Sequence, residues 1–437
     1  MRRRSQQQGF TLVELTVALA AGLIVALGIM GLSRDATRTF HEEMRSSAAE
    51  TSLRTAIDRL RADLGRAGFM STSDFATDPA IARPPTGGIP IPNSWGLAKL
   101  ASIRLIPGGS VVETPLSGQN GLTPDSVWIG GDMTTSDQYA ASLEPDTGSP
   151  GGGNGCMRIY MTANSPAMLR LIGGSTQPAK DLNNAFQPAP GGEFIVRVLD
   201  HKGRTQYLAT CAGTPTGIDG QPWLSVNPNT PVLTAANTSG QSEISGHDRF
   251  WVNPVQIVQY RLISAVDEAA QYAASPLSGL PLTTAADTTK YDLVRSYIDA
   301  VSGTEIAGTQ ELVAEYAVDL AFSFSVDTGL STLPNVVSFP FDSVNNALWA
   351  QDVSTLVLPP VNDPRRIRSV RVRLVTRTAQ ADRTLNVPVP GNAGSFLYRY
   401  CVVPGGCDPV NAAGVLQYAR ARTVTAEVSL PNQAGAY

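Results

Sequence analysis

From Phe10 to Leu32 the chain reads FTLVELTVALAAGLIVALGIMGL, apolar but for a single charge at Glu14. A helix of that length is about 34 Å long, enough to cross a hydrocarbon core of roughly 30 Å. The residues before it, MRRRSQQQG, are polar and basic. Positive charge stays on the cytoplasmic side of a spanning helix. Arg2, Arg3 and Arg4 therefore predict a cytoplasmic N-terminus, with the bulk of the chain on the far side. A cleaved secretory signal would begin in the same way, and Ala18-Leu19-Ala20 offers a small-residue cut site. That site lies mid-stretch, however, and the apolar sequence continues to Leu32. A plain signal anchor accounts for the length but leaves Glu14 unexplained. A carboxylate inside a membrane helix costs about 2.5–3.5 kcal/mol, so it calls for a partner.

Gly9-Phe10-Thr11-Leu12-Val13-Glu14 resembles the GFTLxE signature of class III signal peptides, the type IV prepilin family. The resemblance implies cleavage after Gly9 by a membrane-embedded prepilin peptidase, then N-methylation of Phe10. Such a cut falls before the apolar helix, which would stay as anchor and assembly element, with Glu14 close behind the new N-terminus. Burying either charge among packed helices is costly unless the two are paired. Pairing the Glu14 carboxylate with the Phe10 amine of a neighbouring subunit would meet that cost and set axial register. The implied location is the inner membrane through 10–32, with the head periplasmic, and the pilus or cell surface after assembly.

The helical pattern continues past Leu32. Phe40, Met44, Ala48, Leu53, Ile57, Leu60 and Leu64 recur at three- to five-residue steps and predict one apolar stripe for docking on a head domain. Glu50, Arg54 and Asp58, with Arg59 and Asp63, predict a solvated opposite face. Gly65 and Gly68 in DLGRAGF supply a stop. The helix would be about 80 Å long. The organisation expected is a leader over 1–9, a transmembrane and assembly helix over 10–32, an amphipathic stalk over 33–68 and an extracytoplasmic β-rich head over 69–437.

Period-two alternation marks the head. Tyr316, Val318, Leu320, Phe322, Phe324 and Val326 alternate with small or polar residues, predicting a half-buried strand. Val424, Ala426, Val428 and Leu430 do the same. In RSVRVRLVTR, Val370, Val372 and Leu374 oppose Arg371, Arg373 and Arg377, which read as the polar face of a one-sided sheet or as a contact for an acidic partner. Shorter strands are expected at Ser126–Ile129, Met157–Met161, Phe194–Leu199 and Val255–Leu262. The fold class is therefore α+β: a long N-terminal α-helix, transmembrane in one half and amphipathic in the other, packed on a large antiparallel β-sheet head of pilin-like kind. Segments 144–155, 212–241 and 265–289, rich in Gly, Pro, Ser, Thr and Asn, read as loop insertions.

Cys156, Cys211, Cys401 and Cys407 allow three pairings in an exported chain. The favoured one closes the loop CVVPGGC with Cys401–Cys407, leaving Cys156–Cys211. Zinc fits poorly, because no C-x₂₋₄-C pair is present. The chain also lacks a P-loop, a G-x-S-x-G elbow and an H-E-x-x-H helix. With His41, His201 and His247 as the only histidines, and Gly246-His247-Asp248 reading as a polar loop, no enzyme activity and no cofactor are expected. The 33 Lys and Arg against 37 Asp and Glu give a net charge of −4, which leaves no basic excess for nucleic acid. Trp95, Trp223 and Trp349 read as loop aromatics available for adhesion or for small local cores.

The order of features after the helix is similar to the PilW family of minor pilins: Ala67-Gly68-Phe69 at the helix end, then Val258-Gln259-Tyr260-Arg261-Leu262, then Leu293-Val294-Arg295, the strand after Glu315, and the arginine-rich strand over Arg368–Arg377. That resemblance implies a subunit that primes pilus assembly with other minor pilins, the major pilin and a PilY-type tip adhesin. The chain departs from major pilins in carrying Gly22, Gly28 and Gly31 but no proline in its apolar half, and in the bulk of its head. A type II secretion pseudopilin of GspJ type, or a membrane-anchored surface protein that never polymerises, are the alternatives.

Overall fold

The computed structural model describes residues 11–83, 91–110, 120–143, 156–212, 216–230, 232–233, 244, 249–264, 289–329, 335–355, 362–381, 399–403, 406–407 and 415–433. Gly9, Phe10, His247 and the proposed insertion 144–155 lie outside these, as do most of 265–289 and parts of 212–241. The chain divides into two compact units, Met1–Thr51 and Ser52–Tyr437, and the first helix runs through the division. That helix, α1, spans Leu12–Gly65 without interruption.

In the second unit, sixteen strands are described: β1 Ile103–Ile106, β2 Ser126–Gly131, β3 Tyr139–Leu143, β4 Met157–Met161, β5 Ile195–Leu199, β6 Thr205–Ala209, β7 Thr216–Asp219, β8 Gln221–Val226, β9 Phe250–Ile263, β10 Asp292–Ile298, β11 Glu311–Ala314, β12 Ala317–Asp327, β13 Val336–Ser338, β14 Ile367–Arg377, β15 Arg399–Cys401 and β16 Tyr418–Ser429. Short helices α2 (Pro166–Ile172), α3 (Pro178–Phe186) and α4 (Val344–Trp349) join them. The strands form two antiparallel sheets where a single one was expected. One has eleven strands; the other runs β13-β12-β14-β16-β15.

β9 is the spine of the larger sheet. Its first half pairs with β3 and β5, through Phe250↔Ala141 and Val255↔Ile195. Its second half pairs with β2 and β10, through Gln256↔Gly131 and Ile263↔Asp292. Pro254 has no N–H to offer a ladder. It falls between Val252, which partners β3, and Gln256, which partners β2, so on that side of the strand no bond is lost.

One core joins the second half of α1 to both sheets. Leu53, Ile57, Leu60 and Leu64 are buried with Val258, Tyr260 and Leu293 of the larger sheet and with Phe322, Phe324, Val370, Val372 and Leu374 of the smaller. The expected stripe is therefore only partly a docking face: Phe40 and Met44 are exposed, and burial begins at Leu53. β12 also departs from the half-buried strand expected of it, because every residue from Ala317 to Val326 is buried. Its polar face is covered from within the chain. Arg373 Nε donates to Asp319 at 2.9 Å, and Arg371 donates to Ser323 Oγ at 2.8 Å. Tyr316, expected in the same strand, lies just before it at φ +52°. β16 keeps the predicted alternation, with Val424, Ala426 and Val428 half-buried against the core.

The turn after α1 is fixed by close approach. Gly68 adopts φ +70°, the left-handed region glycine fills at least cost, and its N–H donates to Gly130 O at 2.8 Å. A Cβ at Gly131 would collide with the backbone carbonyl of Arg66. The helix end and β2 therefore meet backbone to backbone.

Candidate assembly site

The first turn of α1 is closed by a reciprocal pair. Thr11 N–H and Oγ1 both donate to Glu14 Oε2, at 3.0 and 2.9 Å, and Glu14 N–H donates back to Thr11 Oγ1 at 3.3 Å. This is a capping box, which satisfies donors that a helix start leaves open. Leu12–Arg34 has the length and composition of a membrane span, with mean hydropathy 2.4. Leu12, Leu19, Ile24, Met30 and Leu32 are each more than 60% exposed. Apolar surface of this extent is stable in lipid or against other helices and is costly in water.

A second constellation holds the end of α1 within the second unit. Asp63 Oδ2 accepts from Tyr260 Oη at 2.7 Å and from Arg295 Nε at 2.6 Å. Tyr260 on β9 and Arg295 on β10 are direct partners across the ladder, so the register itself brings both donors to one carboxylate. All three are buried. At the rim, Arg295 lies 3.6 Å from Glu311, which also meets Arg59 at 3.2 Å. Burial is the largest influence and works against the Arg295 charge, but Asp63, with Tyr297 and Tyr260, together outweigh it and hold the guanidinium above its ordinary value. Burial, then the Asp63 charge, pushes the Tyr260 phenol well up, which keeps it a donor. Asp63 was expected on the solvated face; it is instead an internal anchor. The sequence held a signal for it, since Asp63 sits between Leu60 and Leu64 of the stripe and Arg295 sits in an apolar strand.

Residues 4–30 match the family model for the prokaryotic N-terminal methylation motif. The N-terminus is a type IV prepilin-like class III signal peptide. No curated protein matches the chain, and neither does any solved structure. The prepilin-like motif and the apolar helix behind it support a pilin-type protein anchored in a membrane.

Of the prepilin-like residues singled out in the sequence, Glu14 lies in the first turn of α1, whereas Gly9 and Phe10 fall outside the described residues. Cys156 is joined to Cys211 and Cys401 to Cys407. Among the described residues no group of three or more His, Cys, Asp or Glu is placed to hold a metal. The arginine face of β14, read as a possible partner contact, is taken up inside the chain. Arg377 is fully buried and donates to Thr289 O at 2.7 Å and to Thr378 O at 3.0 Å. Two of the three tryptophans read as loop aromatics sit in regular elements: Trp223 on β8, and Trp349, which is buried, at the end of α4.

Proposed function

We propose that this chain is a minor type IV pilin of PilW type that helps initiate pilus assembly. In this reading prepilin peptidase cuts after Gly9, Phe10 is methylated, and Glu14 pairs with the amine of a neighbouring subunit. The observation that carries the reading is the methylation motif at residues 4–30 continuing into an exposed apolar span, Leu12–Arg34, which survives a cut at that place. The capping box gives Glu14 local donors in the isolated helix; pairing with a neighbour's amine would replace them when helices pack.

The large head would crowd a continuous helical array, which supports a rare, terminal place in a priming complex with other minor pilins, the major pilin and a PilY-type adhesin. The N-terminus would lie in the cytoplasm, with the head periplasmic and then at the pilus surface. The role is structural, without catalytic turnover, cofactor or nucleic acid. The test is intact-mass analysis of the chain recovered from sheared pili. A mature form beginning at methylated Phe10, present at low abundance beside the major pilin, is the expected result. Retention of Met1, or absence from pili of a correctly trimmed chain, overturns the proposal. Co-purification with secretion-channel components instead of pilus components would point to the pseudopilin.

A further inference from the structure

Where β1, the segment leading into β2, β12, β14 and α4 meet, the second unit contains a cavity of about 280 Å³. Ligand and cofactor sites are roughly 300–1,000 Å³, so this one suits a single side chain better than a cofactor. Its wall is mixed: Leu105, Leu122, Phe341 and Ala347 give an apolar side, and Thr123, Ser343 and Asn346 add polar groups. Its charges are unbalanced. Asp125 lines it, Asp342 stands at its mouth with a side chain 92% exposed, and Arg373 is the facing cation. Arg373 is already engaged, by Asp319 at 2.9 Å and more loosely by Asp342 at 4.0 Å, so three carboxyls share one guanidinium.

Asp125 is the group left over. Its oxygens accept one backbone N–H each, from Gly108 at 3.2 Å and Phe322 at 3.3 Å, both at the long end for such bonds. A carboxylate has about four acceptor positions, and among the described residues no cation forms an ion pair with Asp125. Burial raises its carboxyl to about 6, helped by the Asp319 charge and opposed by the two N–H bonds and Arg373. The Phe341 ring is occupied by Arg371 and Arg373, 5.7 and 5.0 Å from its centroid, so a second flat guanidinium would find little stacking surface.

We infer that this cavity receives a lysine side chain from a partner polypeptide, its methylene stem along Leu105 and Leu122 and its ammonium on Asp125. The charge imbalance selects a cation, the volume selects one side chain, and the crowded ring selects an ammonium over a guanidinium. The inference does not depend on the assembly reading and holds whether or not the chain enters a filament.

The test uses the full chain in detergent micelles, titrated by calorimetry with acetyl-Gly-Lys-Gly-amide. Its norleucine and arginine counterparts and spermidine serve as comparisons. The lysyl peptide should bind and the norleucyl peptide should not. Asp125→Asn should weaken binding at least about tenfold. Ala347→Trp, which fills the cavity from a half-buried helix position, should abolish it, and this second variant stands if the first fails to fold. Asp125, Asp319, Asp342 and Arg373 are the charged groups facing the ammonium. With Asp125 titrating near 6, binding at pH 5 should be about tenfold weaker than at pH 7.5. Equal binding of the norleucyl peptide, preference for arginine or spermidine, binding unaltered by Ala347→Trp, or no binding of the lysyl peptide would each overturn the inference.

Discussion

Arg295→Met should cost the second unit far more than Asp63→Leu, although the two residues are partners in one ion pair. Arg295→Met leaves Asp63 buried with, among the described residues, only the Tyr260 hydroxyl at 2.7 Å, and an uncompensated buried charge costs about 3–5 kcal/mol. Asp63→Leu leaves Arg295 with Glu311 at 3.6 Å and the Tyr297 ring at 4.8 Å from its guanidinium carbon, so part of its charge is still met and a cost of about 2 kcal/mol is expected. The double variant removes both charges. What remains is the Tyr260 hydroxyl without its acceptor, worth about 1–3 kcal/mol, and adding Tyr260→Phe should recover most of that. The coupling between Asp63 and Arg295 should therefore exceed about 2 kcal/mol. Urea unfolding of the full chain in micelles, followed by tryptophan fluorescence, measures each corner of the cycle. Additive single costs, or Asp63→Leu proving the more damaging change, would refute the reasoning.

Gly131→Ala places a methyl group against the Arg66 carbonyl, so it should destabilise by about 1–3 kcal/mol or more and lower the melting temperature, while Gly65→Ala, in open space at an ordinary φ, should have a smaller effect. Leu60→Ala, in the core beneath both sheets, should cost about 2–5 kcal/mol in the same urea assay. Burial raises Asp132 to about 6 against the opposing Thr135 and Thr134 bonds, so its contribution is full below about pH 4 and is lost as pH rises through 6. Wild type should therefore lose about 1–3 kcal/mol relative to Asp132→Asn between pH 4 and pH 6, with the difference flat above pH 7 in thermal melts. Glu14→Ala removes a membrane charge, so anchoring and trimming should persist while recovery in sheared pili falls to background, as read by immunoblot.

The anchor was legible because it rests on local rules: a run of apolar residues, one acid and one glycine at fixed places. Strand positions were legible for the same reason, since period-two alternation located β12, β14 and β16, and short apolar runs located β2, β4, β5 and β9. What period two could not show is what lies over the polar side. Asp319, Ser323 and Ser325 read as solvent-facing, yet Arg373, Arg371 and Ser338 cover them. Partnerships of this kind depend on long-range register. Tyr260 and Arg295 are opposite one another only because β9 and β10 pair as they do, and Asp63 joins them from far along the chain. Sequence spacing located β12, β14 and β16 but did not show that they form a sheet of their own, apart from the strands paired around β9.

The shared spine has a consequence for how the molecule can be made. β2 and β5 are both neighbours of β9, and β9 starts only at Phe250. Until that residue has been synthesised and delivered, β1 can cover one edge of β2 and β6 one edge of β5, but the other edge of each stays open. Sheets joined over such long separations form slowly, because the loop must be closed before any contact rewards it. A nascent head would thus spend its early life as separate strand pairs with open edges, at risk of sticking to copies of itself. Amides of β9 should be the last to exchange with solvent, since strands on both of its flanks must part before they are laid bare.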